Sequence, residues 1–285
     1  MNDSKKALVL GAVAYDAKVV TIWDGFQKYF AQHGLGFDYV LYSNYESQVE
    51  AHFAGHFDVA WNSPLAWLEA ERLCALRGRK ASAVAMRDTD QDLTSVVLVR
   101  PDSAIRAPGD LAGKTVAVGA ADSPQATLIP LLHLAEAAGL EPGRDFEVQR
   151  HDLLLGKHGD HVGGEREAVR ALLGGRAEAA CMIDSNHLAF TREGTIPAGG
   201  VRVLTQTAAY DHCNFTVLDD AAPTLVARFT ELLMRMSYDD PKVRPLLDLE
   251  GLKAWKPGRV SGYELLGRAV DRFATLEPWL AAMQA

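Results

Sequence analysis

Short apolar runs alternate with amphipathic stretches along the whole chain, the order expected of an α/β fold. Residues 7–13 predict a strand. Residues 18–32 carry Val19, Ile22, Trp23, Phe26, Tyr29 and Phe30 at helical spacing. Strand 37–43, helix 45–54 closed by Gly55, strand 57–61 and helix 64–76 follow, then strands 82–86 and 94–100. A connector with Pro101 and Pro108 leads to a second run. It predicts strand 114–119, helix 125–138 stopped by Gly139, strand 146–151, a glycine-rich loop 156–164, helix 165–173 ended by Gly174-Gly175, and strand 177–183. Strands 201–207 and 214–218 come next, then helices 224–236, 242–247 and 262–283.

Two α/β blocks in series with a mostly helical tail predict a bilobal fold. Residues 1–102 and 206–285 form a discontinuous first lobe, 103–205 an inserted second, and two segments cross between them. Ligands of such sheets bind beyond the carboxyl ends of strands and at helix N-termini, so the cleft between the lobes is the expected site.

Composition narrows the function. The 29 Lys+Arg against 37 Asp+Glu leave a net charge of −8, which argues against nucleic acid or an anionic membrane as the main partner. No segment reaches the apolar length of a membrane span. Cys74, Cys181 and Cys213 are odd in number and imply no full disulfide framework. The opening MNDSKK followed by a short apolar run has no signal-peptide pattern and predicts a cytoplasmic protein as written. A leader already removed would instead make it periplasmic or lipid-anchored. No P-loop, dinucleotide fingerprint or HExxH motif is present.

Several segments resemble the phosphonate/phosphite-type substrate-binding proteins of ABC transporters, which have the type II periplasmic-binding-protein fold. Tyr45-Glu46-Ser47-Gln48-Val49-Glu50-Ala51 looks like the family's helix after the second strand. Phe57-Asp58-Val59-Ala60-Trp61-Asn62-Ser63-Pro64 looks like its strand-to-helix segment. Asp110-Leu111-Ala112-Gly113-Lys114-Thr115-Val116-Ala117-Val118 looks like its entry to the second lobe, and residues 167–184 like the helix and strand that return to the cleft. The resemblance implies a small-molecule ligand, phosphonate-like or another oxyanion, and an ABC permease as partner if the chain is exported. Two departures stand out. Where family members place a Ser-Thr-Ser-Gly-type turn, this chain has Ser123-Pro124-Gln125-Ala126, and Pro124 removes a hydroxyl and an N–H. Where the family tends to have Ser-His before the next helix, it has Gly164-Glu165-Arg166-Glu167.

The histidines fall in three clusters: His158-Gly159-Asp160-His161, Asp184-Ser185-Asn186-His187, and Tyr210-Asp211-His212-Cys213-Asn214. Three functional readings remain open. In the first, a binding protein, Tyr15, Tyr45, Asn62 and Ser63 contact the ligand from lobe one, and Ser123, Gln125, His158, His161, Asp184 and His187 from lobe two, with Lys157 or Arg166 supplying positive charge. In the second, His158, Asp160, His161, His187 and His212 are candidate ligands of zinc or iron, although no cofactor is required by any motif. In the third, the chain is an enzyme on the same fold, desulfinase-like or pyrimidine-synthase-like. His158 and His212 are then acid–base candidates and Cys213 the nucleophile, with Cys181 beside Asp184 as another pair. Structural roles compete at each position. The loop histidines can cap helices, Asp16 reads equally as an N-cap, Ser63 can cap its helix while free N–H groups there face the cleft, and Cys74 reads as core.

Overall fold

The structure is a computed structural model and describes residues 7–158 and 163–283. In chain order the elements are β1 (Leu8–Val13), α1 (Lys18–Gln32), β2 (Phe37–Tyr42), α2 (Tyr45–Phe53), β3 (Val59–Asn62), α3 (Pro64–Arg77), β4 (Ala81–Arg87), β5 (Ser95–Val99), β6 (Thr115–Val118), α4 (Ile129–Ala138), β7 (Glu147–Arg150), α5 (Gly163–Leu173), β8 (Ala179–Ile183), α6 (Asp184–Arg192), β9 (Arg202–Gln206), β10 (Asn214–Leu218), α7 (Pro223–Met234), α8 (Arg244–Glu250), β11 (Trp255–Pro257), α9 (Glu264–Phe273) and α10 (Glu277–Ala282). They fall into two compact units, Met1–Gln91 with Asp211–Tyr263, and Asp92–Tyr210 with Glu264–Ala285.

The division differs from the expected one. The chain passes between units three times rather than twice, after Gln91, Tyr210 and Tyr263. Strand β5, expected in the first lobe, pairs with β8 and β9 in the second sheet. The tail helix α9 packs on α4, tied by Arg268 Nη1 to Glu136 Oε1 at 2.6 Å.

The first unit holds a six-stranded sheet ordered β11-β4-β10-β3-β1-β2. β1 runs parallel to β2 and β3, whereas β10 is antiparallel to β3 and β4. Helix α1 buries Val19, Ile22, Trp23, Phe26 and Phe30, the stripe its spacing predicts. Its rings meet Phe37, Trp61, Phe215, Phe229 and Trp255 in one aromatic core. Helix α3 starts where Ser63 Oγ accepts from Ala66 N at 3.1 Å, with Pro64 at its first position, and stops at left-handed Gly78.

The second unit holds a five-stranded sheet ordered β7-β6-β8-β5-β9. Alternation along β5 sends Val96 and Leu98 to one face and Val97 and Val99 to the other, and separate apolar clusters cover the two faces.

Two expected helices change and one helix is added. Helix 125–138 is a π-helical turn, Pro124–Leu128, followed by α4. Helix 262–283 becomes a 3₁₀ turn, α9 and α10. It breaks at Ala274, which is left-handed with φ 51°, and Pro278 restarts it within the first turn of α10, where its missing N–H costs nothing. Residues 184–187, read as a polar cluster, open helix α6.

Candidate functional site

In the second unit the polar residues gather beyond the carboxyl end of β6. Pro130 explains the π turn there. It has no N–H for the Ala126 carbonyl, its α-helical partner, nor for the Gln125 carbonyl, its π-helical one. Other donors take both: Gly119 N donates to Ala126 O at 3.3 Å, and Ser95 Oγ to Gln125 O at 2.6 Å. A Cβ on Gly119 would stand 2.7 Å from the Ala126 Cβ, so the close approach requires glycine. Ser123 caps the turn, its Oγ accepting from Ala126 N at 3.3 Å. Ser95 Oγ also meets the Tyr210 hydroxyl at 2.7 Å, and burial raises the pKa of that phenol.

Near this turn, Thr94 Oγ1 donates to Asp184 Oδ2 at 2.7 Å and accepts from Gln206 Nε2 at 2.6 Å. Asn186 Nδ2 donates at 2.8 Å to the buried Glu165 carboxylate, which also receives Ile183 N. His158 is fully buried in a left-handed conformation with φ 49°, and His187 is half-buried on α6. Asp160 and His161, expected as metal or ligand contacts, lie outside the described residues.

In the first unit a buried chain of hydrogen bonds starts behind the β3–α3 junction. Gln48 Nε2 donates to Asn62 Oδ1 at 2.7 Å, Asn62 Nδ2 to Thr216 Oγ1 at 2.9 Å, and Thr216 Oγ1 to Asn214 Oδ1 at 2.6 Å. Asn214 Nδ2 donates to the Tyr263 hydroxyl at 2.8 Å, which donates in turn to His212 O at 2.8 Å. Asn62 therefore spends its amide inside the unit and holds the junction, rather than presenting it outward as expected. Tyr45 is fully buried at the start of α2, and Ser63 serves as the α3 cap. Tyr15 is half-buried against the aromatic core, with the Lys18 ammonium 5.8 Å from its ring centroid.

The chain of bonds ends where all three crossing segments leave this unit. His212 N donates to Asp90 O at 2.8 Å, and Asp211 N to Gly262 O at 2.9 Å. The Arg87 guanidinium grips both oxygens of Asp90, at 2.6 and 2.8 Å, and reaches Glu250 at 3.3 Å. Arg259 grips Asp211 at 2.6 Å through both oxygens. Burial alone would raise the Asp90 carboxyl, but Arg87 and His212 hold it down at about 2. A Cβ on Gly262 would meet the Asp211 carboxyl at 2.1 Å, so glycine permits this knot.

His212 Nδ1 does lie 3.1 Å from Cys213 Sγ, the expected thiol–imidazole pair. The pair is enclosed, however: Cys213 is 1% exposed and belongs to the aromatic core. A nucleophile there has no route to a substrate. Asp90, His212 and Cys213 bring donor atoms within 4.8 Å of one another. Asp90 is already committed to Arg87, whose charge opposes a cation, so this donor set does not suit a metal. Cys181 lies in the core at the centre of β8, its thiol pushed up to about 12 by burial, and makes no reactive pair with Asp184. Cys74 is core as expected, its thiol raised to about 11 by burial.

The sequence reading gave no role to Gln48, Asn214, Thr216 and Tyr263 in the first unit, or to Thr94, Ser95, Glu165 and Tyr210 in the second, although Tyr210 and Asn214 stand in one of its clusters. One signal was available. Asn214 and Thr216 are polar residues at period two in an otherwise apolar strand, which places both on one buried face.

Comparison with known proteins bears on these features. Residues 12–263 match the family model described as "ABC transporter, phosphonate, periplasmic substrate-binding protein". Among solved structures, PhnD1 from Prochlorococcus marinus in complex with methylphosphonate is similar at 16% identity and TM-score 0.69, over 94% of this chain and 98% of that one. XAC2383 from Xanthomonas citri bound to ATP is similar at 18% identity and TM-score 0.71, over the same shares, 94% and 98%. The periplasmic aliphatic sulphonate binding protein SsuA from Escherichia coli is similar at 17% identity and TM-score 0.58, over 96% and 93%. The fold is that of the type II periplasmic binding proteins, two α/β lobes. The catalytic alternative draws no support from these matches. No helix among the described residues is long and apolar enough to cross a membrane.

Proposed function

The chain belongs to the phosphonate-type periplasmic substrate-binding family of ABC transporters, and from that premise we propose that it captures a small oxyanion and delivers it to an ABC permease. It acts in the periplasm, as the family does. The observation that carries the ligand class is the capped turn after β6. There Ser123 and the start of the Pro124–Leu128 turn lie at the carboxyl end of a parallel strand, where backbone N–H groups and hydroxyls favour anions. The methylphosphonate in complex with PhnD1 and the aliphatic sulphonate for which SsuA is named belong to one chemical class, tetrahedral oxyanions bearing a carbon substituent. Pro124 offers no N–H, so the turn has one donor fewer than the Ser-Thr-Ser-Gly type. This favours a ligand of lower charge, a sulfonate or monoanionic phosphonate, over a dianionic phosphate.

Thermal unfolding with methylphosphonate, phosphite, phosphate, ethanesulfonate and sulfate tests the reading. At a ligand concentration of about 100 Kd the native state gains about 2.7 kcal/mol. For a chain of this size that raises Tm by about 4 °C. A flat response across all five anions overturns the proposal.

A further inference from the structure

A pocket of about 780 Å³ opens in the second unit, formed wholly by residues of that unit. Its walls are apolar: Leu128 and Leu131 from the π turn and α4, Phe146 and Val148 at β7, and Phe273 at the end of α9. Its volume is that of a site for a small organic molecule. The rim carries two basic and two acidic side chains, of which Arg144 and Asp145 form an ion pair. Arg144 grips Asp145 through two hydrogen bonds at 3.0 and 2.6 Å, and Glu147 accepts from Thr115 Oγ1 at 3.0 Å. Arg150 differs: among the described residues its guanidinium makes no hydrogen bond or ion pair, and it lines the same pocket. Thr127 also lines the pocket, but its Oγ1 is enclosed behind the wall and out of a ligand's reach.

We propose that this pocket is a second binding site, separate from the oxyanion site, for a small amphipathic anion. The apolar body of the ligand, an aromatic or short acyl group, packs against Leu131, Phe146 and Phe273. Its carboxylate, or a head group of like charge, pairs with Arg150. Glu147, bonded to the neutral Thr115 hydroxyl, keeps its charge at the rim, so the preference for an anion rests on Arg150 and the amine counterpart tests it.

Titration calorimetry with 1-naphthoate tests the site, using 1-naphthalenemethanol and 1-naphthylmethylamine as neutral and cationic counterparts. Saturable naphthoate binding is expected, weakened about fivefold in Arg150→Ala, the scale of one solvent-exposed charge pair. The alcohol should bind the wild type and Arg150→Ala alike, and the amine should bind more weakly than the acid. Val148→Trp fills the pocket and should abolish naphthoate binding. Absence of saturable naphthoate binding overturns the proposal, as does an affinity unchanged in both variants. Arg150 is exposed, so its variant folds even if Val148→Trp does not. Methylphosphonate titrated into the same samples reports on the oxyanion site independently, so failure of one reading is distinguishable from failure of the other.

Discussion

The first unit is held by clustered aromatic rings and a long run of buried polar bonds, the second by aliphatic side chains with shorter polar contacts at Ser95 and Glu165. In the first, Trp23, Phe26, Phe215 and Trp255 interlock at centroid distances of 5.2–6.2 Å. A run of hydrogen bonds from Gln48 to His212 crosses beside them, and an Arg87–Asp90–Glu250 cluster closes it. In the second, Ala117, Ala168, Ala171, Ala177 and Ala180 pack with Leu98, Leu172, Met182 and Phe190 in one cluster between α5 and the sheet. The lesson is that one fold class tolerates two kinds of core. Polar bonds that cannot reach water must each find a partner, and that ties the first unit to particular residues. Dispersion between small groups makes no such demand.

The contrast is tested most severely at Arg87. Arg87→Ala leaves the carboxylates of Asp90 and Glu250 enclosed without their cation, at an expected cost of about 4 kcal/mol. Urea unfolding measures the total. Hydrogen exchange assigns it, with amides of β3, β4 and β10 losing protection more than those of β5 and β8. Equal loss in both sheets would show that the units unfold as one and that the contrast has no energetic meaning.

Acid should act on the same side. His52 is buried in the first unit against the Phe57 ring, 4.7 Å between centroids, and burial lowers its pKa to about 4. The fold therefore prefers the neutral ring. This contribution is complete above the ordinary value of 6.5 and is lost as pH falls from there towards 4, a change of about 3 kcal/mol. Asp90 continues the loss from its ordinary 3.8 towards about 2, because its carboxylate is the form Arg87 holds. In the second unit the half-buried His133 is lowered in the same direction by burial, with Thr205 Oγ1 at 2.8 Å. Stability measured from pH 7 to 4 should fall less in His52→Phe than in wild type. An unchanged slope removes His52 as the cause.

A smaller effect is expected at Thr216. Its hydroxyl accepts from Asn62 and donates to Asn214, so Thr216→Val leaves two buried amides short of a partner while keeping the shape. The expected cost is about 2 kcal/mol. Ala180→Val, a comparably small change in the second core, tests packing alone, and only its size relative to Thr216→Val sharpens the contrast.

Legibility in the sequence followed the range of the interactions. Helix 18–32 was read to the residue because its period and its buried face are local. Strand 214–218 was likewise read in full, but the partner of Thr216 is Asn62, 154 positions away, and no local pattern names it. Ser63 was read as a helix cap within the ligand site, and the cap is present. Cys213 beside His212 suggested chemistry. The core that encloses it comes from Trp23, Phe215 and Trp255, residues whose convergence only the fold reveals. Strand β11 was overlooked because Trp255–Pro257 is too short to carry a period.

The weakest expected effect bears on the turn that the proposed function uses. Pro130→Ala returns an N–H opposite the Ala126 carbonyl, now held by Gly119 N, and opposite the Gln125 carbonyl, now held by Ser95 Oγ. The helix can then continue its own ladder through residues 124–128, and the two long-range bonds lose their exclusive claim on those carbonyls. One bond replaces another, so stability should change by less than about 1 kcal/mol. The Gly119 amide should exchange faster with solvent, because its acceptor is shared. Protection at Gly119 equal to wild type would mean that Ser95, Gly119 and the capped Ser123 hold the π turn without help from the proline. The origin of that turn would then lie in the sheet, at the carboxyl ends of β5 and β6, and not in the helix sequence.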